Sequence, residues 1–205
     1  MNELDGLLAD LLSGDESRAE AAVPSLAALG DLARPALLDL AHSADVDHRW
    51  WAVRTLAETP QTPTEDLLPF LSDSAPEVRQ AAALALSAHP DERAIPALIR
   101  ALHDEDSMLG SLAGNALVQI GAASVPALLE VLNEALALTE QSVALSLSKG
   151  RSVRILALRA LSELKDHRAI PALLKARDEE SALMQYWAGE GLERLGLNMV
   201  YIKPT

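Results

Sequence analysis

The sequence predicts an all-α solenoid, a row of short helix pairs stacked side by side with one shared core. Three observations carry that expectation. An alanine followed four residues later by a leucine marks one face of a helix. It recurs at Ala22/Leu26, Ala52/Leu56, Ala82/Leu86, Ala113/Leu117, Ala157/Leu161 and Ala188/Leu192, in steps of 30, 30, 31, 44 and 31 residues. A second block recurs upstream in the same phase, as ARPAL at 33–37, AIPAL at 94–98 and 169–173, and SVPAL at 124–128. Aromatic residues are only 3% of the chain, which suits thin layers of Ala and Leu better than a large globular core.

Each unit then consists of two helices. The first opens with proline in its first turn, where the missing N–H costs nothing. The second carries the Ala/Leu pair, and in three units an arginine three residues before the alanine: Arg49, Arg79 and Arg154. One such pair leaves an apolar face open, so neighbouring pairs must stack to close it.

Taken in order, residues 2–12 read as the first helix, with Glu3 and Asp5 in the turn that the helix dipole favours for acids. Ser13-x-x-Glu16 reads as a capping box for a helix that Gly30 stops, with a kink or early break at Pro24. The second unit pairs 34–42 with 45–58. The third opens at Thr62-Pro63-x-Glu65 on a short helix, and its second helix, to Ala88, opens at Ser74-x-x-Glu77 before the turn His89-Pro90-Asp91. The fourth pairs 93–103 with 106–120. There Gly110 takes the arginine position and Gly114 follows, so this second helix is expected to be the least stable of its kind.

In the fifth unit Pro126 precedes Arg154 by 28 residues, where Pro96 precedes Gly110 by 14. The surplus places an insertion near 135–148, expected as a tolerated addition in an exposed turn. The sixth unit pairs 170–177 with 180–195, and Gly196 ends it. The tail 197–205 is apolar for a free end and is expected to cover the open end of the stack. The units are thus 2–30, 31–60, 61–90, 91–121, 122–165 and 166–196, in one elongated domain.

Residues 73–106, DSAPEVRQAAALALSAHPDERAIPALIRALHDED, resemble HEAT repeats, most of all the bacterial HEAT-like subgroup named after phycobilisome lyases. Residues 151–180, RSVRILALRALSELKDHRAIPALLKARDEE, carry the resemblance again. It implies a right-handed superhelix of about six HEAT-like pairs, with the second helices lining the concave surface. It also implies that Arg49, Arg79 and Arg154 pair with aspartates of neighbouring turns in a ladder between units. Asp45, Asp73 and Asp104 stand in phase for that role.

The residues two before and two after each anchor alanine lie four apart on the face opposite the core. That row reads Trp50/Arg54, Gln80/Leu84, Ser111/Asn115, Ile155/Arg159 and Tyr186/Glu190, and it is the candidate partner-binding surface. Trp, Tyr and Arg are the types enriched where binding energy concentrates. Trp51 and Trp187, one residue before the anchor, lie beside the core seam and read as packing residues.

No catalytic, metal or cofactor site is expected. There is no cysteine, no Gly-x-Ser-x-Gly elbow and no glycine-rich phosphate loop. His42 and His103 share a phase two units apart, which separates them by about 20 Å, too far to share a metal. Some HEAT-like proteins are hydroxylases with His-Glu pairs. This chain has no such dipeptide, and Gly189-Glu190 stands at the corresponding place. The net charge is −13, from 30 acidic against 17 basic residues, which argues against nucleic acid. The N-terminal stretch is acidic and helically spaced, and no segment reaches the ~20 apolar residues of a membrane span. A cytoplasmic, monomeric scaffold for a protein or peptide partner is the leading expectation. The resemblance implies two rivals: a phycobilin lyase-type accessory acting on a bilin or phycobiliprotein, and a HEAT-like nucleic-acid binder.

Overall fold

The computed structural model describes residues 3–139, 144–178 and 181–197. These form twelve α-helices and, among the described residues, no strand. They are α1 (Glu3–Leu11), α2 (Glu16–Ala28), α3 (Arg34–Ala41), α4 (Val46–Glu58), α5 (Thr64–Leu67), α6 (Pro76–Ala88), α7 (Ile95–Ala101), α8 (Ser107–Ile120), α9 (Val125–Thr139), α10 (Ala144–Leu164), α11 (Ile170–Arg177) and α12 (Ala182–Arg194). Each odd-numbered helix packs on the even-numbered helix after it. The even-numbered helices also pack in succession, α2 on α4, α4 on α6, and so on to α12, as one continuous layer.

The repeated residues explain the layering. Every anchor alanine and leucine is buried, and so are Leu37, Leu98, Leu128 and Leu173, the leucines that end the proline-containing blocks. They belong to one hydrophobic cluster running from Leu11 to Leu192. Alanine at the seam lets helices approach closely, while leucine fills the layer beneath. Gly110 takes this further: a Cβ there would stand 3.0 Å from Leu156 Cδ1 of α10. The glycine that reads in the sequence as a weak point is where α8 and α10 pack tightly, so that a larger residue would have to displace the end of Leu156.

Several helix starts differ from expectation. Asp15, not Ser13, caps α2, accepting the Arg18 N–H, while Ser13 Oγ accepts from Asp15 N–H. Ala75 holds the cap position of α6, and Pro76 follows it, so one orphan donor is absent from the start; Asp73 accepts from Ala75 N–H instead of Ser74 capping the helix. Pro63, not Thr62, precedes α5, and the Thr62 hydroxyl turns back to the carbonyls of Leu56 and Thr59 at the end of α4. Asp45 and Asp106 cap α4 and α8.

Pro24 does not break its helix. α2 runs through it, with Pro24 on the exposed side of the helix. Of the expected insertion, residues 135–139 extend α9 and 144–148 extend α10. These helices have 15 and 21 residues against 7 in α7 and 13 in α12. Residues 140–143 lie outside the described part. Gly196, at φ +75°, ends α12 in a Schellman motif, with its own N–H on the Glu193 carbonyl and that of Leu197 on Leu192. The expected cover by the tail concerns 198–205, which lie outside the described residues.

Candidate binding surface

Two sets of polar side chains hold successive units in register. Arg49 of α4 donates to both carboxylate oxygens of Asp73, at 2.8 and 2.9 Å, and to the carbonyls of Ser43 and Ala44. The Arg49 hydrogen bond holds the Asp73 carboxyl below the usual carboxylate range, and the same bond raises the Arg49 guanidinium. Arg79 of α6 reaches Asp104 at 3.4 Å and the carbonyls of Asp73 and Ser74. Each arginine therefore reaches forward to the aspartate of the next unit. Asp45 is not part of this ladder: the unit before it has Ala19 where an arginine would stand, and Asp45 caps α4. Arg154 is buried at the equivalent place on α10.

The second set was not foreseen. Asp91 and Asp166 each cap a short 3-10 turn and clamp the arginine two residues on, Arg93 and Arg168. Those arginines then reach the preceding unit, Arg93 to Glu65 at 2.9 Å and Arg168 to the Ala122 carbonyl at 2.7 Å. The Arg168 hydrogen bond pulls Asp166 down to about 2, and Arg93 lowers Asp91 further still. The signal was present as Asp-x-Arg directly before each AIPAL block.

The candidate row lies on the even-numbered helices opposite their buried anchors. Trp50 is half-buried, packed edge-on to Trp51 with ring centroids 4.8 Å apart. Arg54 pairs with Glu58 and reaches Glu20 of α2 at 3.8 Å. Gln80 donates to Asp106 at 2.7 Å and thereby lowers that carboxyl. Leu84 is exposed. Arg159 bridges α10 to α8 by donating to Asn115 and to the Ser111 carbonyl, and Glu163 stands 3.6 Å from its Nε. Ile155 is half-buried. Tyr186 is exposed above Trp187, and Glu190 pairs with Arg194. Trp51 and Trp187 pack against the core, and Trp50 and Ile155 of the row pack against it as well.

Thus Arg54, Gln80, Asn115 and Arg159 are joined to neighbouring helices by polar contacts, while Leu84 and Tyr186 are exposed. Val46, Met108 and Leu183 are exposed on the same face, one helical turn nearer the start of each helix. Their five- or six-residue spacing from the anchor alanine was the available signal.

Stacked helix pairs with arginine–aspartate rungs between units define the class, an α-solenoid. Residues 64–148 match the family model for HEAT repeats, and residues 153–179 match that for the PBS lyase HEAT-like repeat. The chain is a HEAT-repeat protein. No curated protein matches it. Among solved structures, it is similar to an engineered protein at 21% identity, covering 95% of this chain and 99% of that one with a TM-score of 0.56. A second engineered protein is 22% identical over 96% and 97% of the two chains, with a TM-score of 0.51. A designed armadillo repeat protein in complex with peptide (KR)4 is 19% identical over 94% and 99%, with a TM-score of 0.51. These likenesses establish the solenoid fold. No single described helix is long and apolar enough to cross a membrane.

Proposed function

We propose that the chain is a non-catalytic scaffold that binds a protein or peptide partner along the exposed face of α4, α6, α8, α10 and α12. The observation that carries this is the placement of exposed apolar side chains. Of the nine large hydrophobic residues exposed among the described residues, five project from that one face: Val46, Leu84, Met108, Leu183 and Tyr186. Apolar groups spread along a surface otherwise rimmed by polar and charged residues are the pattern of an interaction site. The designed armadillo repeat protein of similar fold, in complex with peptide (KR)4, supports the same use of a helical solenoid.

The test is affinity capture from source lysate read by mass spectrometry, with wild type beside the Trp50→Ala, Arg54→Glu, Tyr186→Ala triple variant, both shown to be folded by circular dichroism. A partner held by wild type and lost by the variant supports the reading. A partner held equally by both refutes it.

A further inference from the structure

The entry to this face at the N-terminal end has a chemistry of its own. A cavity of about 450 Å³ opens between the starts of α2 and α4. Trp50 and Trp51 form one wall, set edge-on at 78° so that two indole faces meet at an angle. Asp15, Glu16, Asp45 and Asp47 stand around it together with His48, counted as neutral below, and no lysine or arginine lines it. Asp15 and Asp45 are engaged as helix caps. Glu16 and Asp47 make no side-chain ion pair in the described structure. The nearby Arg49 is committed to Asp73 and to the carbonyls of Ser43 and Ala44.

The balance of charge is decided by magnitude. The two helix starts contribute roughly half a positive charge each. Four carboxylates outweigh them and leave a net of about −3 on a cavity with an aromatic wall. A metal ion would need converging ligands, and no group of three His, Cys, Asp or Glu among the described residues is so placed. A guanidinium needs none. It is planar, weakly hydrated, stacks on an indole face and presents a fork of donors to carboxylates.

We propose that this cavity receives an arginine side chain from a basic peptide segment of the partner, held against Trp50 and Trp51 by Glu16 and Asp47. The inference rests on the scaffold reading and gives the partner a chemical class. Trp50 belongs both to the cavity and to the exposed face, so a peptide running along that face would place one side chain here.

The probe is an octapeptide of alternating Lys and Arg, with octalysine as its comparison, titrated by calorimetry and by the indole N–H signals in NMR. The Lys-Arg peptide is expected to shift the Trp50 and Trp51 indole signals and leave Trp187 in place. Glu16→Gln with Asp47→Asn should weaken it about tenfold, the scale of lost charge-assisted hydrogen bonds. Glu92→Gln with Glu130→Gln removes the same charge from exposed sites elsewhere and should leave affinity nearly unchanged. Equal weakening by both double variants, unmoved Trp50 and Trp51 signals, octalysine binding as tightly, or no binding at all would each overturn the proposal. Arg54→Glu with Tyr186→Ala separates the two readings. If only that variant loses the peptide, the scaffold stands and the arginine cavity falls. If it keeps both peptide and lysate partner, the scaffold reading falls.

Discussion

Gly189→Ala and Gly191→Ala should move stability in opposite directions, although the two positions lie two residues apart on α12. A Cβ at Gly189 meets nothing within 4 Å. Alanine there gains only the helix-propensity difference, about 0.8–1 kcal/mol. A Cβ at Gly191 would stand 2.9 and 3.0 Å from the two δ-methyls of Leu173 and 3.0 Å from Ser162 Cβ. Both neighbours are fully buried, Leu173 in α11 and Ser162 in α10, so neither has free space to move into. Overpacking of this kind costs about 1–3 kcal/mol, which outweighs the propensity gain and leaves a net loss of about 1 kcal/mol. With a urea m-value of about 2–3 kcal/mol/M, each change shifts the midpoint by about 0.4 M, upward for Gly189→Ala and downward for Gly191→Ala. Far-UV circular dichroism through a urea titration reads both. Equal upward shifts would refute the reasoning, since they would mean that α12 is not held close to α10 and α11 at this point.

Three other perturbations test the links between units. Arg49→Met removes five donor contacts, one of them a long one to the Ser74 hydroxyl, from a pair whose side chains are each 11% exposed, and should cost about 3 kcal/mol in urea unfolding. Asp73→Asn should add little on that background, the non-additivity expected of direct partners. Acid titration should show the same pair. The Asp73 pKa is lowered in the folded chain, so the unfolded chain binds more protons between the two values. The stabilisation is therefore complete above the unfolded value of about 4 and lost as pH falls through the folded one. Asp73→Asn should flatten the acid limb of a stability–pH curve. Thr62→Val removes a buried hydroxyl shared between the Leu56 and Thr59 carbonyls, at 2.7 and 2.9 Å. It should lower Tm by an amount equivalent to about 1–2 kcal/mol.

The solenoid was legible because its core imposes the same demand on every layer. A small residue at each seam and a leucine below it must recur at the repeat length, and two blocks did so in one phase. Helix starts were less legible, because several polar residues near one start compete for the same few donors. Asp15 lies two residues nearer α2 than Ser13 and takes its cap, and Pro76 removes a donor that Ser74 would have served. Gly110 shows a different limit. Its meaning depends on Leu156, which lies on another helix and 46 positions away in the chain.

The candidate face follows the same division. Helical period identifies which residues share it, but not which of them are already engaged. Gln80 reaches Asp106 across 26 positions and Arg159 reaches Asn115 across 44, so these polar members join helix to helix. Their removal would disturb stacking as well as any partner contact. Leu84 and Tyr186 have no such duty and remain exposed. Substitutions at Leu84 and Tyr186 should therefore alter partner affinity with little effect on unfolding, whereas Arg159→Ala should lower both. That contrast, measured by urea midpoint beside capture of the same partner, separates the residues that build the surface from those that meet a ligand on it.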